Sequence, residues 1–180
     1  ITGITAANKV YDSTQVATLT TTGASFTGMA IGDTLTVTGA TGLFDTKDVG
    51  TGKTVNISGL VLAGADSANY TLTNSTATTT ANITPASISA ITGISAANKV
   101  YDGTTTATLT TSSAAFTGRL GSDVLTVATA VGNFSDKNVA NPKTVNVTGI
   151  VLGGADAGNY TLASNTATTA AAITPATISA

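Results

Sequence analysis

The sequence repeats itself at an offset of ninety residues, without a gap, and nothing else in it limits the available folds so strongly. ITGITAANKVYDSTQVATLT, starting at Ile1, recurs as ITGISAANKVYDGTTTATLT, starting at Ile91. KTVNISGLVLAGADSANYTL, from Lys53, recurs as KTVNVTGIVLGGADAGNYTL, from Lys143. ANITPASISA closes the first copy at Ala90 and AAITPATISA closes the second at Ala180. A unit of this length can enclose a hydrophobic core by itself, unlike solenoid units of roughly 20–45 residues. Two tandem domains are therefore expected, residues 1–86 and residues 87–180. The copies differ in a way that separates core from loop. Ile57 becomes Val147 and Leu60 becomes Ile150, swaps that nearly conserve volume. Met29, Ala30, Ile31 and Gly32 become Arg119, Leu120, Gly121 and Ser122, which is loop behaviour.

The local pattern is that of β-strands. Residues 33–38 alternate polar and apolar, placing Leu35 and Val37 on one face and threonines on the other. Val55 and Ile57 share a face, as do Tyr70 with Leu72, and Ala77 and Thr79 with Ala81 and Ile83. Glutamate is absent, β-branched residues dominate, and no apolar stripe has a helical period. Turn-forming clusters of Gly, Asn, Asp and Ser break the runs at intervals that suit a sandwich or barrel. About seven strands per copy would match an immunoglobulin-like sandwich of this length. The expected class is all-β, two tandem Ig-like β-sandwich domains in an elongated arrangement.

Composition removes whole classes of chemistry. The chain has no His and no Cys, so neither a Ser-His-Asp triad, a thiol nucleophile, an ordinary zinc site nor a disulfide can be built. Seven Lys and Arg against nine Asp give a net charge of −2, the wrong balance for neutralising phosphates, so no nucleic-acid partner is expected. No apolar run is long enough to span a membrane as a helix, so no membrane insertion is expected either. The opening residues lack a charged segment followed by an apolar one, so an export signal is expected outside these residues.

Two local features refine the reading. Asp66-Ser-Ala-Asn-Tyr70-Thr-Leu72, repeated as Asp156-Ala-Gly-Asn-Tyr160-Thr-Leu162, is similar to the tyrosine corner of immunoglobulin domains. There the hydroxyl folds back onto a nearby backbone group; the alternative is a tyrosine half-buried at a strand end with its hydroxyl in water. The junction ITPASISAITG, from Ile83 to Gly93, has alternating apolar residues and none of the composition of a flexible linker. Pro85 and Pro175 suit an edge strand or its exit. The last strand of one domain is expected to run almost directly into the first strand of the next, through a short, stiff joint.

KVYDST (from Lys9), KVYDGT (from Lys99), FDTKDVGTGKTV (from Phe44), GADSANYTL (from Gly64) and ITPA (from Ile83) together resemble the YDG repeat of bacterial filamentous-haemagglutinin-like adhesins and surface proteins. The resemblance covers nearly all of both copies. It departs at Ser13, where the eponymous glycine is missing, and at Ala140-Asn-Pro142, which replaces Gly50-Thr-Gly52. It implies an extracellular protein of the bacterial surface or secreted, with repeats in tandem arrays, and it supplies no catalytic residues. The expected function is a structural stalk or spacer of a large adhesin, extending a distal binding region and contributing to adhesion. The alternative is a module that binds a host or matrix glycan or protein through its end loops. The expected partners are neighbouring repeats of the same chain, and the expected state is a monomer without enzymatic activity.

Three residual chemistries stand beside this. Calcium suits Asp oxygens, and Asp45, Asp48 and Asp66 are the candidate ligands; no other cofactor is expected. The carboxylates Asp45 and Asp48 are the closest pair for acid–base work, but copy two has Ser135, Asp136 and Asn138 in that stretch. Turn capping by Asp is the plainer reading. A Lys–Asn or Lys–Asp isopeptide crosslink would draw on Lys9, Lys47 and Lys53 with Asn8, Asn56 or Asn69, against the plain reading that these lysines are solvated or neutralise Asp.

Overall fold

The computed structural model describes residues 1–179, and they are all-β apart from two single 3-10 turns, Ser67–Asn69 and Ala157–Asn159. The chain divides into two compact units, Ile1–Pro85 and Ala86–Ala180. Each is built around a five-stranded sheet of the same order. In the first unit the order is Lys9–Val10, Ala77–Thr84, Gly50–Ser58, Thr41–Phe44, Val16–Ala17. In the second it is Lys99–Val100, Ala167–Thr174, Ala140–Gly153, Thr126–Phe134, Thr106–Ala107. The pairs are antiparallel except the first, where Lys9 runs parallel to Ile83 and Lys99 to Ile173.

The alternation in the sequence sets which side chains enter the core. Val55 and Ile57 are 0% and 2% exposed, while the residues between and beside them face out. Val145 and Val147 take the same places, and Phe44 and Phe134 cover the neighbouring strand of each unit. Thr78 and Thr80 point outward along Ala77–Thr84, which keeps β propensity on the wet face without charge. Glycine interrupts copy one where copy two continues. Gly39 sits at φ +70°, and a Cβ there would meet Gly59 O at 2.9 Å, so Thr36–Thr38 and Thr41–Phe44 are separate strands. In copy two, Thr129 fills that position and a single irregular strand runs from Thr126 to Phe134.

The junction is where the two units differ in construction. Only Pro85 lies between the closing strand Ala77–Thr84 and the strand Ala86–Ile88. Ala86–Ile88 pairs in parallel with Tyr160–Leu162, with Ala86 opposite Tyr160 and Ile88 opposite Leu162. Ala86, expected to close the first domain, thus belongs to the second. The short passage from strand to strand is as the junction sequence implies.

Candidate functional site

The most elaborate polar site is a lysine clamp that occurs once in each copy. Lys9 Nζ donates to Asp12 Oδ1 (2.8 Å), to Thr14 O (2.8 Å) and Oγ1 (3.2 Å), and to Val16 O (3.0 Å). Lys99 Nζ repeats this with Asp102 Oδ1 (2.8 Å), Thr104 O (2.8 Å) and Oγ1 (3.0 Å), and Thr106 O (3.1 Å). The ammonium groups also lie 5.4 Å and 5.6 Å from the ring centres of Phe44 and Phe134. Asp12 and Asp102 in turn accept from the backbone N–H and the hydroxyl of Thr14 and Thr104, closing an Asx-type turn. The carboxylate is therefore held charged: hydrogen bonds from Lys99 and then Thr104 lower the pKa of Asp102 to about 2. For Asp12 desolvation acts in the opposite sense, and the bonds from Lys9 and Thr14 together still bring its pKa below the usual value. Asn8 and Asn98, just before the lysines, accept backbone N–H groups from Asn82 and Ala172, both at 2.7 Å.

The three residues read as calcium candidates make separate contacts. Asp45 pairs with Lys53 at 2.9 Å, and this bond is the main reason its pKa is lowered. Asp66 accepts the N–H of Thr34 at 2.8 Å. Asp48 donates its backbone N–H to Thr46 Oγ1 at 3.4 Å. No group of three or more Asp placed to hold a metal ion occurs among the described residues. In copy two the acid partner of Lys143 is Asp136, at 2.6 Å, one position further along than Asp45. The exchange of Asp45-Thr46 for Ser135-Asp136 opposite an unchanged lysine preserves the ion pair. That paired shift is readable in the sequence as Asp45-Thr46 against Ser135-Asp136. The crosslink candidates Lys9 and Lys53 are occupied by the contacts above, and Lys47 lies 5.7 Å from the Tyr11 ring centre.

Tyr70 and Tyr160 form a second recurring site. Tyr70 donates its hydroxyl to Asp33 Oδ2 (2.6 Å) and accepts the N–H of Ala30 (2.9 Å). Tyr160 does the same with Asp123 (2.7 Å) and Leu120 (3.0 Å). The hydroxyl reaches a loop some forty residues upstream, not its own corner, so the immunoglobulin-type tyrosine corner is not what these residues form. Around them the copies part. Asp123, Leu125, Asn159 and Tyr160 are buried in copy two, whereas Asp33, Leu35, Asn69 and Tyr70 are half-buried or exposed. The space beside Tyr70 is an open groove of about 240 Å³, lined chiefly by Ile1, Phe26, Leu35, Leu62, Tyr70 and Leu72.

A YDG domain family profile matches residues 1–81 and 84–170. The chain belongs to the YDG domain family. No curated protein and no solved structure matches it significantly. The clamp explains two of the three letters in the YDG signature. Asp12 and Asp102 receive the lysine, and the third position must turn with positive φ. Gly103 does so at +80° and Ser13 at +64°, so the serine in copy one occupies a left-handed conformation that L-residues disfavour. The tyrosines differ: Tyr11 is 2% exposed and Tyr101 37%. In both YDG copies the signature is spent on internal bonds that tie the turn to the sheet.

Proposed function

We propose that this YDG chain is a structural repeat of a bacterial surface or secreted adhesin, a spacer of immunoglobulin-like sandwiches in an elongated tandem arrangement. The observation that carries this reading is the junction. The closing strand of the first unit, Ala77–Thr84, passes through Pro85 alone into a strand of the next, leaving no room for a flexible linker. The signature residues support it, because the Lys9 and Lys99 clamps use their polar atoms internally. The grooves beside Leu19 and Leu109 are lined by no titratable side chain. A threonine-rich chain with only 9% charged residues suits an exposed extracellular segment.

Small-angle scattering is the direct test. The expected radius of gyration is well above the ~16 Å of a compact globule of this length. A compact value removes the spacer reading. Saturable affinity of the fragment for a host glycan or protein would favour the alternative, a binding module acting through its end loops.

A further inference from the structure

Each unit has a gap at the same place in its sheets, between residues 16–21 and 37–42 in copy one and between residues 106–111 and 127–132 in copy two. Its cause is a run of chain that changes partners midway. Ala17 and Ala107 pair with Gly42 and Gly132, whereas Leu19 and Leu109, two residues on, pair with Ala6 and Ala96 in a different sheet. Continuing the first register would set Leu19 opposite Ala40 and Leu109 opposite Ala130, but the ladder stops before it reaches them. In copy one Gly39, at φ +70°, turns the opposing chain away; in copy two the register shifts around Thr129 do so. Different sequences thus keep one gap.

The gap leaves ladder groups unused. Ala7 N–H bonds Thr18 O, and Ala97 N–H bonds Thr108 O, both at 2.9 Å. Antiparallel pairs alternate, so Ala6 with Leu19 and Ala96 with Leu109 are not hydrogen-bonded pairs, and the N–H and C=O of each leucine face the gap. No backbone hydrogen bond joins Leu19 to Ala40. The leucine side chain does not plug the space: it lies on Gly42 or Gly132, where an added Cβ would come within 2.8 or 2.7 Å of its Cδ2. The two spaces measure about 400 and 540 Å³, the size of ligand clefts, and no titratable side chain lines either.

We propose that both gaps are strand-accepting sites for an extended, uncharged peptide segment of a partner protein. Unused N–H and C=O groups at a strand edge recognise the backbone of an added strand, which repeats the same groups at the same spacing. The walls are Val, Leu, Thr, Ala and Gly, so a charged side chain entering them would be desolvated without a counter-charge, whereas small neutral ones fit. No aromatic ring lines them on which a sugar could stack, and this sets a peptide ahead of a glycan. The proposal goes beyond the spacer reading, since it gives the repeat a binding site in each unit. Its test is separate, because scattering reports shape while peptide binding reports the gaps.

The test uses the full chain and a labelled, end-blocked peptide of alternating threonine and valine, TVTVTV. Fluorescence anisotropy should show saturable binding, and calorimetry two sites per chain. Thr38 and Ala128 are exposed residues on one wall of each gap. Thr38→Arg and Ala128→Arg should each remove one site, and together both, while circular dichroism stays unchanged. The same peptide N-methylated at alternate residues keeps its side chains but loses ladder donors, and should bind about tenfold more weakly or worse. Four outcomes would overturn the proposal: no saturable binding up to millimolar peptide, equal binding by the N-methylated peptide, undiminished binding to the folded double variant, or binding of a neutral glucose oligosaccharide where the peptide does not bind.

Discussion

Tyr70 and Tyr160 hold equivalent places in the repeat and make the same two hydrogen bonds, yet Tyr160 is 6% exposed and Tyr70 is only half-buried. Two things differ around them: the loop Met29–Gly32 becomes Arg119–Ser122, and the second unit has the three-residue strand Ala86–Ile88 beside Tyr160, which has no counterpart among residues 1–85. The same segment turns Tyr160–Leu162 into a strand, whereas residues 70–72 form none. Burial in this repeat is therefore a property of sequence plus neighbour. The second folded unit begins at Ala86, a few residues before the second copy of the period starts at Ile91.

That comparison can be broken most forcefully at Ile88. Ile88→Ala empties a fully buried site and should destabilise the second unit by about 2–5 kcal/mol, with unit one unaffected. Hydrogen exchange resolved by unit would show faster exchange around Tyr160–Leu162 and unchanged protection along Gly50–Ser58. Equal loosening of both units would mean that the strand does not belong to the second alone.

The lysine clamps should respond alike, since their geometry is the same in both copies. Lys9→Met and Lys99→Met each strip four acceptors of their donor and should cost about 1–3 kcal/mol in their own unit, followed by chemical denaturation. A large difference between the two would show that the match in geometry hides a difference in energy.

The turn beside the clamp predicts opposite signs. Ser13→Gly relieves a positive φ and should stabilise unit one by up to about 1 kcal/mol, while Gly103→Ser should destabilise unit two by about as much. Thermal unfolding of the two variants checks this, and shifts of the same sign would refute the strain argument.

Acid gives the smallest effect. Asp102 titrates near 2 when folded against an ordinary 3.8, and Asp12, Asp45 and Asp136 are lowered as well. A depressed folded pKa means that the unfolded chain takes up protons first as pH falls. The stabilisation is present above about pH 4 and is lost as pH drops towards 2. Because these carboxylates are largely solvent-exposed, the loss should be modest and weakened by salt. Denaturant midpoints measured from pH 5 to pH 2 should fall, and Lys99→Met should flatten the part due to Asp102.

Much of the fold was legible because strand alternation is local. Val55, Ile57, Ala81 and Ile83 could be placed inward from period two alone. The sites were less legible. The lysine clamp joins residues three to seven apart: that Lys9 neutralises a neighbouring Asp is legible in KVYDST and holds at Asp12, but nothing there says that Thr14 O and Val16 O turn toward the same ammonium. The sequence leaves the Tyr70 hydroxyl between its own corner and water, because its partners, Ala30 and Asp33, lie in a loop some forty residues upstream that varies between copies. The Asp45 to Asp136 shift is visible in the sequence, but only the ion pairs with Lys53 and Lys143 show it to be a moving counter-ion and not a broken carboxylate pair.

Periodicity and composition by themselves determined that one β-unit is made twice, and that His and Cys chemistry has no place in it. Both follow from side-chain identity and from spacing along the chain. Only the tertiary structure decided that Ala86–Ile88 pairs with Tyr160–Leu162 and so completes the unit after it. Strand pairing joins residues more than seventy positions apart through backbone groups that every residue carries, and so leaves no local mark in the sequence.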